Sequence, residues 1–140
     1  MTGIEHDICD TQGRIYEYAS TFGYDMEVFS KAYLCLDFCH RAMDAPYSRF
    51  QLHTEEECWD FIYPEIENVL KKYPDGQVFD RNVAYWIGFT YRHAAFITEA
   101  SSWELNEGIS FKTMCNYYPG MHTIDEDAAM DIIKGNIFAI

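Results

Sequence analysis

Residues 83–98, VAYWIGFTYRHAAFIT, constrain the fold more than any other stretch of the chain. Apolar side chains fall nearly all the way round a helical wheel there, the pattern of an element buried on every side. Val, Tyr, Trp, Ile, Phe and Thr also favour strands. The segment is longer than an ordinary strand, however, and Ala94-Ala95 favours helix. Asp80 stands ahead of it as an N-cap. The reading is a central helix near 81–98 with other helices packed around it.

The rest of the chain repeats its apolar residues at three- and four-residue steps. Ile8, Thr11, Gln12, Ile15, Tyr16 and Ala19 form one stripe, with Gly23 where a helix would stop. Asp25 caps a second helix carrying Val28, Phe29, Ala32, Tyr33, Leu36 and Cys39, expected to run until just before Pro46. Thr54-Glu55-Glu56-Glu57, Ser101-Ser102-Trp103-Glu104 and Thr123-Ile124-Asp125-Glu126 read as capping boxes. The first opens a third helix with Cys58, Phe61, Ile62, Ile66, Val69 and Leu70, which Pro64 should kink or restart. Tyr73-Pro74-Asp75-Gly76 reads as a turn. A short helical piece near 111–118 precedes a Pro119-Gly120 turn, and a last helix covers roughly 125–134. The expectation is an all-α bundle of five to six helices in a single domain, residues 1–140.

With 140 residues, 49% of them hydrophobic and 17% aromatic, the chain can bury a core. Its formal net charge is −13 and unevenly spread. Residues 1–70 hold 14 acidic and 4 basic residues, residues 71–140 hold 9 and 6. Such a field repels nucleic acid and lipid headgroups and attracts a basic protein. Solubility alone is the commoner reason for an acidic surface. No apolar run approaches the roughly 20 residues of a bilayer span. The five cysteines are odd in number, and MTGIEHDICD has neither a basic leader nor an apolar run. A cytoplasmic protein with reduced thiols is expected.

Cys35 and Cys39 share a helical face, but His40 points about 100° away and no second pair has zinc spacing. Buried thiols are the better reading, and neither a metal nor a cofactor is expected. Glu55, Glu56 and Glu57 with Asp60 read as acids stabilised at a helix N-terminus rather than as cation ligands. There is no nucleophile elbow, Walker loop, dinucleotide glycine pattern, HExxH or zinc-deaminase signature. Cys115 would need His122 or His93 brought to it, with nothing local marking an activated thiol. The expectation is no enzyme. Two clusters stand out: Pro46-Tyr47-Ser48-Arg49-Phe50, and Tyr91-Arg92-His93 on the central helix. An Arg on an apolar helix must snorkel to water, pair with a carboxylate or face a partner, and for Arg92 an internal ion pair that locks two helices is the favoured reading. Arg49 beside Tyr47 reads as an exposed contact, since Tyr and Arg are enriched in binding hot spots. Tyr117 and Tyr118 fit that surface or the core equally well.

PYSRFQL (46–52), VAYWIGFTYRH (83–93), ASSWEL (100–105) and YYPGMHTIDEDAAMDII (117–133) resemble a family of short bacterial proteins. Tyr-Trp-Ile-Gly-Tyr-x-Tyr-Arg, Ser-Ser-x-Glu and Tyr-Pro-Gly-x-His-Thr recur in that family. The match spans roughly residues 33–133 and departs at His93, where an aromatic such as Tyr is usual. The family's genes lie beside toxin-like genes, including ADP-ribosyltransferase-like ones. The resemblance therefore implies an antitoxin or accessory protein of a toxin–antitoxin module, and it brings no catalytic residues. The expected function is a non-enzymatic, acidic protein that masks a basic partner, a toxin-like or nucleic-acid-binding enzyme. Its contact residues would be Tyr47, Arg49, Glu55, Glu56, Glu57, Asp60, Tyr117 and Tyr118. One alternative is a nucleic-acid mimic that inhibits a nucleic-acid-binding defence complex, which needs acids on one continuous surface. The other is a small enzyme with an inter-helix pocket built from Tyr47, Arg49, Arg92, His93 or His122. Direct contact with nucleic acid or membrane is not expected, and a homo-oligomer stays open.

Overall fold

Side-chain caps set most of the helix ends. The structure, a computed structural model, describes residues 1–137. Its helices are α1 (Gly3–Thr21), α2 (Met26–Tyr33), α3 (Glu55–Ile66), α4 (Arg81–Thr98), α5 (Ser102–Gly108), α6 (Phe111–Met121) and α7 (Glu126–Ile137). A π turn at Cys39–Met43 and 3₁₀ turns at Arg49–Leu52 and Pro74–Gly76 lie between them. The all-α expectation holds, with seven α-helices among the described residues rather than five to six. None of them is long and apolar enough to cross a membrane. Asp80 accepts the Asn82 and Val83 amides at 2.8 and 3.2 Å and starts α4 where the sequence placed it. Ser101 and Glu104 close a full capping box on α5.

Four boundaries differ from the sequence reading, each for a local reason. The second helix stops at Tyr33 instead of running toward Pro46. Glu65, from α3, accepts the Asp37 and Phe38 amides at 3.1 and 3.2 Å, so a carboxylate from another helix caps a fresh start after the break. Val69 and Leu70 lie beyond α3, because Pro64 brings no amide to its last turn and the helix ends at Ile66. Residues 119–120 do not turn: α6 continues through Pro119 to Met121. The cap of α7 falls on Asp125, which accepts the Ala128 amide at 3.3 Å, and not on Thr123.

The core forms where α1 crosses α4. Gly13 and Gly88 permit the close approach: a Cβ on Gly88 would lie 2.7 Å from Tyr16 Cγ, and one on Gly13 would lie 2.8 Å from the Tyr85 ring. Larger residues at either position would force the helices apart. Tyr16, Phe29 and Tyr33 then pack edge-on or stacked around the crossing, with centroids 5.3 to 5.5 Å apart. Ile15, Ile62, Ile66 and Ile87 are fully buried beside them. Each such side chain contributes about 1.5–3 kcal/mol of transfer free energy. Around this core α3 packs on α1 and α2, leaving its opposite face to solvent.

Candidate functional site

Charge enters the core at Arg92, which is 2% exposed. Its Nη1 donates to Asp44 Oδ1 at 2.8 Å and to the Met43 carbonyl at 3.3 Å. Nη2 donates to Ser102 Oγ at 2.7 Å and Gln12 Oε1 at 2.9 Å, and Nε to the same Gln12 oxygen at 3.1 Å. Gln12 also accepts from Tyr33 and donates to the Gly88 carbonyl. Ser102 donates to Asp44 through both its hydroxyl and its amide. Every nitrogen of the guanidinium is satisfied from α1, α5 and the segment after the π turn. The centre therefore joins three parts of the chain and offers no donor to a ligand, as the expected internal ion pair required.

The buried thiols are equally inert. Burial pushes Cys9, Cys39 and Cys58 up to about 12, so they stay protonated at neutral pH. Cys35, read from the sequence as a buried thiol, is instead exposed, because α2 ends at Tyr33, and it accepts from Asn106 Nδ2 at 3.5 Å. Among the described residues no three His, Cys, Asp or Glu side chains are placed to hold a metal ion.

The face of α3 is different. Cys58, Ile62 and Ile66 recur every four residues and turn one edge of the helix into the core. At about 100° per residue, Glu56 and Asp60 then point to solvent. Trp59 and Tyr63 flank that acidic ridge on one side and Phe61 on the other. Phe61 is 51% exposed and meets Phe50 edge-on at 4.5 Å. The Arg49 guanidinium lies 5.0 Å over the Phe50 ring. Leu52 is 60% and Tyr47 93% exposed on the adjoining loop. On the other flank, Trp59 lies near-parallel to Phe22 and Tyr24, which follow the end of α1.

Six of the eight residues read from the sequence share this neighbourhood. Tyr47, Arg49, Glu56 and Asp60 are solvent-facing. Glu55 approaches Arg14 at 3.9 Å, and Glu57 is held by His53 at 3.0 Å and by the Thr54 hydroxyl at 3.1 Å. Tyr117 and Tyr118 stand on α6, where Tyr118 stacks on His122 at 4.1 Å and packs edge-on to Trp86 of α4. The sequence reading missed Phe22, Tyr24, Trp59 and Tyr63. The available signal was an aromatic pair four residues apart on one helix, and two more rings around the Gly23 stop.

A cavity of about 160 Å³ lies between α4 and the facing parts of α1, α6 and α7, bordered by His6, Trp86, Phe89, His93, His122 and Glu126. His93 is 2% exposed, and its Nε2 has no hydrogen-bond partner among the described residues. Burial lowers its pKa against the opposing pull of Glu126 and Asp127. His6 Nε2 lies 3.4 Å from Glu126. Tyr47, Arg49 and Arg92, weighed for the same pocket from the sequence, are absent from its lining. No protein-family model matches the chain, and no curated protein or solved structure matches it.

Proposed function

We propose that the chain is a non-enzymatic, acidic protein that docks on a basic partner enzyme, as an antitoxin docks on its toxin. Helix α3 with the 47–52 loop is its contact face. One observation carries this: Leu52, Phe61, Tyr63 and Phe22 leave large apolar surfaces in water around the Glu56–Asp60 ridge. Exposed rings grouped around charged side chains are a feature of binding interfaces. The acids would speed encounter with a basic surface, and the rings would hold the bound state.

The test takes the protein that co-purifies in stoichiometric amount from the native host and follows its binding kinetics at rising ionic strength. Association should slow steeply with salt and with the double charge reversal Glu56→Lys, Glu57→Lys. Phe61→Ser should mainly speed dissociation. Salt-independent association with both variants unchanged removes the face from consideration. Displacement of the chain by duplex DNA would favour the nucleic-acid mimic instead.

The small-enzyme or small-ligand reading has its own support in the His93 Nε2 beside His6 and His122, which has no hydrogen-bond partner among the described residues and only Asp127 Oδ1 nearby at 3.8 Å. A buried ring nitrogen without a partner costs about 1–3 kcal/mol, a loss that a hydrogen-bonding ligand would recover. Imidazole-ring NMR signals read this directly. Selective shifts of His93 on adding a small hydrogen-bonding aromatic compound support the reading, and unmoved signals across a fragment set remove it.

A further inference from the structure

We propose that the aromatic recess between the end of α1 and α3 is a binding site for one guanidinium group, that of an arginine on the partner protein. The identity of the occupant's owner rests on α3 being the contact face. Phe22, Tyr24, Trp59 and Tyr63 wall a cavity of about 350 Å³, with Asp60 and Pro64 at its lip. Trp59 lies 5.9 Å from Phe22 at 24° and 6.1 Å from Tyr24 at 26°. Tyr63 lies 6.1 Å from Trp59 at 44°. Ring faces carry partial negative charge and attract cations, most strongly over Trp. The chain already makes this contact once at the recess, with Lys72 Nζ 5.8 Å from the Tyr24 centroid.

Asp60 decides the sign of the occupant. It is exposed, and among the described residues its side chain makes no hydrogen bond or ion pair. An apolar side chain entering the recess would bury that carboxylate unpaired, which is unfavourable. A cation would pair with it. Geometry then separates the two basic side chains. A guanidinium is planar and weakly hydrated, so it can lie flat on Trp59 while its edge presents a fork of N–H donors to Asp60. An ammonium is a hydrated point charge and cannot do both. The helix that carries the recess is itself acidic, with Glu55, Glu56, Glu57, Asp60 and Glu65 and no Lys or Arg.

The probe is a blocked Gly-Arg-Gly peptide, compared with the same peptide carrying citrulline, which keeps the planar shape and loses the charge, and with Gly-Lys-Gly. The readout is the Trp59 indole N–H signal in two-dimensional NMR, with Trp86 and Trp103 as internal references. The arginine peptide should shift Trp59 saturably, the lysine peptide several-fold more weakly, and the citrulline peptide hardly at all. Asp60→Asn, isosteric and at the surface, should weaken the arginine peptide about tenfold. Equal shifts from citrulline, or shifts without saturation spread over all three indoles, overturn the proposal. Full partner kinetics separate it from the broader reading. If charge reversal at Glu56 and Glu57 slows association while Asp60→Asn and Tyr63→Ala leave dissociation unchanged, the face stands and the arginine site falls. If the peptide saturates the recess but partner binding ignores every α3 variant, the site stands and the contact face is elsewhere.

Discussion

Arg92 on α4 and Asp60 on α3 are both charged, and the chain treats them in opposite ways. At Arg92 each nitrogen of the guanidinium has a partner inside the fold, supplied by Gln12, Met43, Asp44 and Ser102. At Asp60 the carboxylate and the neighbouring rings face water. Polar groups saturated from within hold architecture together. Polar groups left open beside exposed apolar area are where binding free energy remains to be gained. Mutations should therefore sort cleanly by which of the two regions they touch.

The largest effect is expected at the saturated centre. Arg92→Met keeps much of the volume and removes the charge, stranding Asp44 and Gln12, and should cost about 3–5 kcal/mol in urea or guanidinium unfolding. Adding Asp44→Ala to that background should cost less than the same change in the wild type, because the ion pair is already broken and only the bonds from Ser102 are lost. A loss below about 1 kcal/mol for Arg92→Met, well under the range for a broken buried pair, would erase the contrast drawn here. Next comes the helix crossing. Gly88→Ala should destabilise by about 1–3 kcal/mol, since its Cβ has no room beside Tyr16.

A smaller, pH-dependent effect belongs to His93. Its pKa in the fold lies below the ordinary 6.5, so the folded state binds fewer protons than the unfolded one. The stability contributed by the neutral ring is fully present above pH 6.5 and is lost as pH falls from there toward the folded value. His93→Phe should flatten that part of a stability profile measured between pH 8 and pH 5 (roughly the window in which histidine titrates). An unchanged profile would mean that His93 has the same pKa in the folded and unfolded states. Least of all should stability respond at the open face. Tyr47→Ala should stay within about 0.5 kcal/mol of wild type in the same unfolding assay, and Phe61→Ser, which gives up its edge-on contact with Phe50, should cost about 1 kcal/mol, whatever they do to binding.

The contrast also marks what could be read from the sequence. Helix α4 and its Asp80 cap were legible because both signals are local: one apolar segment and one residue ahead of it. The need for a carboxylate at Arg92 was legible too, but its partner Asp44 lies 48 residues away and no pattern pairs them. The break after Tyr33 was invisible, since the cap that stabilises the restart is Glu65, on another helix. The recess was missed for the same reason. Phe22 and Tyr24 meet Trp59 and Tyr63 only after α3 has packed on α1, and aromatic residues in a chain so rich in them read individually as core.

The Glu65 cap bears on how the α3 face would engage another molecule. Its carboxylate fastens the amides of residues 37 and 38 to the C-terminal half of α3. The π turn that follows is thereby tied to the helix that carries the acidic ridge, and Gln51 ties the 3₁₀ turn at Arg49–Leu52 to it by donating to the Ala42 and Ala45 carbonyls at 3.1 and 2.8 Å. A binder would meet a surface preorganised before contact, so the ordering entropy of association falls on its own segments and on the long side chains of both partners. Kinetically, such a face behaves as a rigid body, with encounter rates set by charge and diffusion rather than by a folding step.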